Sequence, residues 1–552
     1  MKKATHSTDK LFQKALKAHQ TGNVNQAKSL YIKIIKQSPN HSDAYHLLGV
    51  IQAQSSQTDL AIENITHAIE LSECEFYYNS LGAVYLKQGQ IQKALFNINK
   101  ALKINDRYID AYNNLGQTLL RAGECKDAMN CFKKGISLNS NVPQLYSNYL
   151  ICLNYQPSIS QEEIYQAHLS FNKLFRSNQF INHQSTRKTK KSLRIGYVSS
   201  NFCRSSVSFF IEPILCNHDA STFEIFCYAN VNKPDDVTQR MQTYAKKWIS
   251  TNHMNDIQMA EKIKKDNIDI LVDLCGHFSE NRLPVFALQP APIQITYLGY
   301  PNTTGLSTIQ YRLTDAVVDP HSRDAYHSEK LIRLPAPFLC YQPVNNSPEI
   351  SPLPAETNGY ITIGSFNNLA KVTDDVIHVW TSILERLPDS KLLLKARPFV
   401  DSVVCEHYLK KLGVAHDRVI FKGYEENIKS HLRIYNQIDL ALDPFPYHGT
   451  TTTCDALWMG VPVISLCGEC HATRVGKTIL SAIGMDDFIV HSKSEYVDKT
   501  VAICQNIQLL KAVRKQLRTV MQQSELMNAS GLTQNIESVY KKMWSDNIPY
   551  KQ

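Results

Sequence analysis

The thirteen residues Asp443-Pro-Phe-Pro-Tyr-His-Gly-Thr-Thr-Thr-Thr-Cys-Asp455 hold the densest chemistry in this 552-residue sequence. They follow an apolar stretch, Ile438 to Leu442, that reads as a buried strand. They precede Ala456-Leu457-Trp458-Met459, which reads as a helix. A loop of small hydroxylated residues opening a helix presents backbone N–H groups, hydroxyls and a positive dipole end to an anion. A diphosphate needs that environment. Asp455, read in the first helical turn, could accept ribose hydroxyls, although helix capping by Thr453 or Asp455 explains the same residues without a ligand.

Three further groups join this run. The strand Tyr360–Gly364 leads into Ser365-Phe-Asn-Asn-Leu-Ala-Lys371, where a lysine among small and amide side chains can neutralise a phosphate as a point charge. His431, eight residues before Asp439, could donate to phosphate or serve as an ordinary helix histidine. Asp273-Leu-Cys-Gly-His277 ends another strand, so His277 reads as an acceptor-facing group or general base, with a structural histidine as the plain reading. Pro292 to Gly305 adds a buried strand and a Gly/Thr-rich turn.

What is missing narrows the chemistry. No Asp-X-Asp pair occurs, which favours leaving-group stabilisation by lysine, hydroxyls and helix N–H groups over a carboxylate-held metal. There is no GxxxxGK[ST] loop for ATP hydrolysis and no GxGxxG opening a dinucleotide fold. Cys467-Gly-Glu-Cys470-His471 matches the c-type haem attachment pattern, but it lies where a strand runs into a loop and is read as a plain loop.

With 59 Lys and Arg against 50 Asp and Glu, the chain is mildly basic at +9. Its one dense basic cluster, Arg187-Lys-Thr-Lys-Lys191, reads as solvated linker. No nucleic-acid or membrane partner is expected. The first residues lack an apolar signal core and no window approaches a membrane span. Fourteen cysteines in such a chain suggest reduced thiols in the cytoplasm.

The elements that must position these residues fall into blocks. From about 10 to 150 the sequence repeats. Leu48-Gly49, Leu81-Gly82 and Leu115-Gly116 are spaced 33 and 34, as are Ala27, Ala61, Ala94 and Ala128; Ala68, Ala101 and Gly135 keep the step. The period implies paired antiparallel helices of the tetratricopeptide type, stacked as an α-solenoid. Ser56 stands where Gly22, Gly89 and Gly123 recur. Pro143 to Tyr155 reads as a last capping helix, and Ser160 with Glu163 as a capping box before a helix over 161–175. From residue 193, short apolar runs alternate with helical segments in two series separated by Pro343, Pro348, Pro352 and Pro354. Such alternation implies parallel sheets covered on both faces, with ligands beyond the carboxyl ends of the strands. The expected organisation is a repeat domain over 1–155, a helical connector over 156–192, and two Rossmann-like α/β lobes over 193–342 and 343–552.

These motifs resemble the tetratricopeptide-linked protein O-glycosyltransferases: animal O-GlcNAc transferase, plant SPINDLY and their bacterial relatives. Carrying the resemblance are Ile195-Gly-Tyr-Val-Ser-Ser200, Asp269 to His277, Arg282 with Ala291-Pro-Ile-Gln294, Leu298 to Gly305, Phe338-Leu-Cys-Tyr341, Gly364 to Lys371, Thr450 to Asp455 and Tyr540-Lys-Lys-Met-Trp544. The resemblance implies a GT-B fold and metal-independent, inverting transfer from a nucleotide sugar to Ser or Thr of proteins, with no cofactor. It implies that Lys371 contacts the diphosphate, Thr451 and Thr452 bind phosphate, Asp455 binds ribose and His431 lies by the nucleotide. The expected donor-binding set is thus Asn368, Lys371, His431, Thr450, Thr451, Thr452 and Asp455. The repeat superhelix is expected to select protein substrates.

One segment departs from the family. Where relatives read Asp-Phe-X-X-His-X-Val, this chain has Asn201-Phe202-Cys203-Arg204-Ser205-Ser206-Val207. The acid and histidine are lost, so proton removal is expected from His277, Asp273 or a donor phosphate oxygen. Lys371, His277 and Asp273 form the expected catalytic set. The donor is expected to be UDP-GlcNAc, with GDP-fucose as the alternative because Asn367 to Lys371 and the four threonines lie closer to SPINDLY. A repeat scaffold with an impaired transferase domain, and N-linked glucosyl transfer, are further alternatives.

Overall fold

The structure is a computed structural model describing residues 2–175, 192–335 and 337–547. The basic cluster at 187–191 and the rest of residues 176–191 of the expected connector lie outside the described residues. The chain divides into two compact units, Met1–Ser140 with Arg397–Cys405, and Asn141–Ala396 with Glu406–Gln552.

In the first unit the helices Lys2–Gln20, Val24–Gln37, Ser42–Gln54, Thr58–Leu71, Glu75–Gln88, Ile91–Ile104, Ile109–Ala122 and Cys125–Leu138 pack as pairs. The sequence period has a steric cause. A Cβ added at Gly49 would lie 2.6 Å from Ile65, one at Gly82 would lie 2.5 Å from Ile98, and one at Gly116 would lie 2.5 Å from Phe132. Each of these partners sits four residues after a buried alanine of the repeat: Ala61, Ala94 and Ala128. Small residues thus let the paired helices cross closely, and the bulkier residue one turn on fills the groove. Ser56 takes the left-handed conformation (φ 60°) that glycine takes at Gly22, Gly89 and Gly123.

The second unit begins one helix earlier than the repeat pattern suggests. The helix Pro143–Leu153 is the expected cap, but its side chains engage the α/β region. Ser147 Oγ lies 2.9 Å from His277 Nδ1, and the Asn154 amide donates to Tyr300 Oη at 2.8 Å. The helix Gln161–Phe175 follows, opened by the expected capping box, in which Ser160 N–H donates to Glu163 and Glu163 N–H to Ser160 Oγ.

Two parallel sheets follow. The first contains β1 (Leu193–Ser199), β2 (Phe223–Ala229), β3 (Lys247–Ser250), β4 (Ile270–Asp273), β5 (Ile293–Tyr297), β6 (Tyr311–Asp315) and β7 (Lys330–Leu334), in the order β3-β2-β1-β4-β5-β6-β7. The second contains β8 (Thr362–Ser365), β9 (Lys391–Lys395), β10 (Val419–Lys422), β11 (Leu440–Leu442), β12 (Val463–Leu466) and β13 (Ile489–Val490), in the order β10-β9-β8-β11-β12-β13. Both are doubly wound, and strand order reverses between β1 and β4 and between β8 and β11. The loops leaving those strand pairs diverge and open a crevice. The last helix, Ala529–Asn547, packs back on Ser208–Asn217 of the first lobe, with Tyr540 Oη 3.2 Å from Tyr197 Oη and Glu537 Oε1 3.0 Å from His218 Nδ1.

Candidate active site

The second lobe's reversal point brings the two sequence motifs together. Leu440 pairs with Ile363 and Ala441 with Gly364, so the loop after β8 and the loop after β11 leave the sheet side by side. Lys371, closing a short 3-10 turn over Leu369–Lys371, reaches across and donates from Nζ to the His448 carbonyl at 2.6 Å. Thr452 Oγ1 donates to Asn367 Oδ1 at 3.1 Å, a second bridge between the loops. Gly449 is required there, because a Cβ would lie 2.1 Å from Thr452 Oγ1.

The loop after β11 is held rigidly. Asp443, buried at the strand end, accepts from Gly449 N–H at 2.6 Å and Ser465 Oγ at 2.9 Å. His448 is also buried: Gly476 N–H donates to its Nδ1, so its Nε2 carries the proton and donates to the Leu466 carbonyl. Burial keeps this imidazole below its ordinary pKa despite neighbouring Asp443. The helix Thr451–Trp458 starts at Thr450, whose side chain makes no capping bond. The first-turn N–H groups are thereby left for an incoming acceptor.

Lys371 is half-buried, and its amine lies over the Tyr447 ring, 4.5 Å from the centroid. Burial lowers its pKa to about 8, opposed by the carboxylate of Asp443. An ammonium held this way is under-solvated, and an arriving diphosphate restores the counter-charge it lacks.

A cavity of about 310 Å³ lies between the lobes, walled by Asn367, Asn368, Lys371, Tyr447 and Thr450 to Thr452 on one side. Ser206, Val207, Phe278 and Leu298 of the first lobe face them, with Tyr155 beside Tyr447 at 4.9 Å between rings. Thr451 Oγ1 reaches the Ser206 carbonyl at 3.4 Å across the cleft. Asn368 is exposed and caps its own turn, accepting from Ala370 N–H at 3.2 Å.

Three expected roles change. His277 is fully buried beneath the first lobe, with Nδ1 2.9 Å from Ser147 Oγ and Nε2 2.9 Å from the Thr304 carbonyl. Burial drives its pKa well below the ordinary value, and neither nitrogen is free to take a proton from an acceptor. Asp273 is likewise interior, accepting from the N–H groups of Cys275 and Gly276 and from Thr296 Oγ1. It shapes the turn, and the two residues are corrected from catalytic to structural. Asp455 lies in the second helical turn rather than the first and is buried; it accepts from Tyr341 Oη at 2.6 Å and stands 3.6 Å from His431 Nε2. Its carboxylate bridges Tyr341 and His431, and it is not among the residues that line the cavity. At the departed motif, Ser205 Oγ only donates to the Asn201 carbonyl.

All fourteen cysteines are free thiols, and no cluster of three metal-ligating side chains exists among the described residues. Nor is any described helix long and apolar enough to cross a membrane.

The tetratricopeptide repeat model matches residues 42–73, 77–108 and 109–142. The SPINDLY protein of Solanum lycopersicum, named a probable UDP-N-acetylglucosamine–peptide N-acetylglucosaminyltransferase, is 37% identical over 406 residues, covering 72% of this chain and 44% of that one. The Arabidopsis thaliana SEC protein, named likewise, is 35% identical over 369 residues, covering 64% and 37%. The chain therefore spans less than half the length of the curated relatives it matches. A solved lysine-to-methionine variant of the Thermobaculum terrenum O-GlcNAc transferase superposes with a TM-score of 0.83 at 26% identity, covering 98% of each chain. The glycosyl transferase family 41 model matches residues 158–346 and 352–536, spanning both sheets and the loops that build the cleft, and the chain belongs to that family.

Proposed function

We propose that this chain is a protein glycosyltransferase that moves a sugar from a nucleoside diphosphate donor to Ser or Thr hydroxyls, with inversion and without a metal. One observation carries the reading. The Lys371 ammonium, bonded to the His448 carbonyl at 2.6 Å, stands beside an uncapped helix start at the second lobe's reversal point. A departing diphosphate there meets a cation, threonine hydroxyls and backbone N–H groups at once. The absence of an Asp-X-Asp pair from the sequence supports charge stabilisation by these groups. His431, held by Asp455, is assigned to the nucleoside side of the donor. The repeat helices are assigned to protein substrates.

UDP-GlcNAc is the favoured donor, in keeping with the printed names of the relatives. GDP-fucose is the alternative, favoured by the SPINDLY-like Asn367 to Lys371 segment and four-threonine run. Thermal-shift titration with each nucleotide, followed by radiolabelled transfer to a Ser/Thr peptide pool, decides between them. A ligand of the native state raises its melting temperature in proportion to affinity. Stabilisation by UDP and transfer of GlcNAc uphold the favoured donor, and stabilisation by GDP with fucose transfer replaces it. No shift with either nucleotide and no transfer overturn the reading.

A further inference from the structure

His471 belongs to the sequence motif that the haem pattern called up and the donor site leaves unused. It sits on a short turn after β12, lines the cleft cavity with Lys371, Thr451 and Thr452, and packs edge-on against Phe338 at 5.1 Å. Its Nδ1 is 2.7 Å from Oδ2 of Asp319, a fully buried carboxylate contributed by the other lobe. Asp319 is tightly held: Thr314 Oγ1 donates to Oδ2 and Arg312 Nε stands 4.0 Å away. Burial pushes the Asp319 carboxyl up, but its hydrogen-bonded imidazole partner and the Arg312 guanidinium hold it well below the carboxylate range, so it is anionic at neutral pH. A carboxylate at Nδ1 fixes the tautomer with the proton on that nitrogen. Nε2 makes no hydrogen bond among the described residues and keeps its lone pair, and the imidazole that carries it lines the cavity.

We propose that His471 is the general base of the transfer reaction, with Asp319 as its positioning residue. This rests on the transferase reading above, and fills the role for which Asn201, Ser205, His277 and Asp273 are unsuited. The acceptor Ser or Thr hydroxyl oxygen bonds to the anomeric carbon while its proton passes to Nε2 of His471. The bond from the anomeric carbon to the diphosphate oxygen breaks, and its electron pair leaves with the nucleoside diphosphate toward Lys371 and the helix start. The imidazolium formed faces the Asp319 carboxylate, which stabilises it until the proton returns to solvent. Because Asp319 and His471 belong to different lobes, the base is assembled only when the lobes are apposed. Arg474 Nε, bonded to the Val317 carbonyl at 3.0 Å, fastens the same two segments.

The test compares wild type, Lys371→Met, His471→Gln and His471→Ala in radiolabelled sugar transfer from UDP-GlcNAc and GDP-fucose to a Ser/Thr peptide pool, with nucleotide affinity measured in parallel. Loss of a positioned general base lowers kcat by ~10²–10⁴-fold. Both His471 variants should show that loss while binding the nucleoside diphosphate within about twofold of wild type, and added imidazole should restore part of the rate to His471→Ala. Imidazole rescue separates a proton-transfer role from a merely structural one. If wild type transfers sugar and Lys371→Met does not, yet His471→Gln keeps its kcat, the base assignment is overturned and the transferase reading stands. Loss of rate in His471→Ala without rescue, together with weakened nucleotide binding, also overturns it. No transfer by wild type from either donor overturns both.

Discussion

Replacing Lys371 by methionine keeps the length and apolar stem of the side chain but removes the ammonium from the cavity wall. Two unit charges about 4 Å apart interact by about 4 kcal/mol at an effective dielectric near 20, which bounds what the ammonium contributes to a departing diphosphate. Part of that interaction exists already with the bound donor, so the loss is divided between binding and kcat. The expectation is a fall in kcat/KM of ~10²–10³-fold, equivalent to about 3–4 kcal/mol. The pH dependence adds a signature. With a pKa of about 8 in the free protein, the amine is a cation below that pH and neutral above it, so wild-type kcat/KM falls as pH rises through about 8. The methionine variant lacks that limb. Stability moves the other way: the folded pKa lies below the unfolded one, so the folded state disfavours the cation at neutral pH. The variant therefore melts at or above the wild-type temperature. Transfer kinetics from pH 6 to 10, with melting curves alongside, measure all three. A variant with less than about a tenfold loss and an unchanged alkaline limb would refute the role given to this lysine.

Thr452→Val removes the hydroxyl that bonds Asn367 at 3.1 Å and should raise the donor KM roughly tenfold, the effect of about one lost polar contact, as initial-rate measurements will show. His277→Ala removes the imidazole that bonds Ser147 Oγ and the Thr304 carbonyl, leaving Ser147 Oγ only the Asn281 amide, and opens a cavity. It should cost about 2–4 kcal/mol in denaturant unfolding while the folded fraction keeps its kcat; a selective kcat loss would reinstate His277 as a base. Ser56→Gly relieves a left-handed serine and should stabilise the repeat unit by about 1 kcal/mol in thermal unfolding.

The elements were legible wherever local pattern and packing coincide. The repeat period was visible because Gly49, Gly82 and Gly116 are excluded from larger side chains by Ile65, Ile98 and Phe132. The apolar strands β1, β2, β4, β5, β8, β9, β11 and β12 stand out for their burial, and the edge strand β10 for its Val-Ile-Phe run. The strands that did not stand out are β3, β6, β7 and β13. β6 reads Tyr-Arg-Leu-Thr-Asp, polar by composition, yet it is interior because the two terminal nitrogens of Arg312 donate to the carbonyls of Tyr300 and Asn302 and Asp319 stands beside it. β3 and β7 are edge strands, partly exposed, and β13 has two residues. At the site, Lys371 and the threonine run were legible because strand ends and a helix start carry their own chemistry. His277 and Asp273 looked alike from sequence, since a strand end says nothing about which side of the loop a side chain takes. Their partners Ser147 and Thr304 lie 130 and 27 residues from His277. Asp319 gave no signal, because its partner is on the other lobe.

The most direct test is calorimetric titration of UDP and GDP into wild type and Lys371→Met at pH 8 in excess EDTA, repeated in buffers of different ionisation enthalpy. The site described here predicts that wild type binds one nucleotide without added metal and takes up about half a proton as the half-neutral lysine becomes an ammonium, and that the variant binds at least about tenfold more weakly with no such uptake. Equal affinity in the two proteins, or binding by wild type with no lysine-dependent proton uptake, would contradict it.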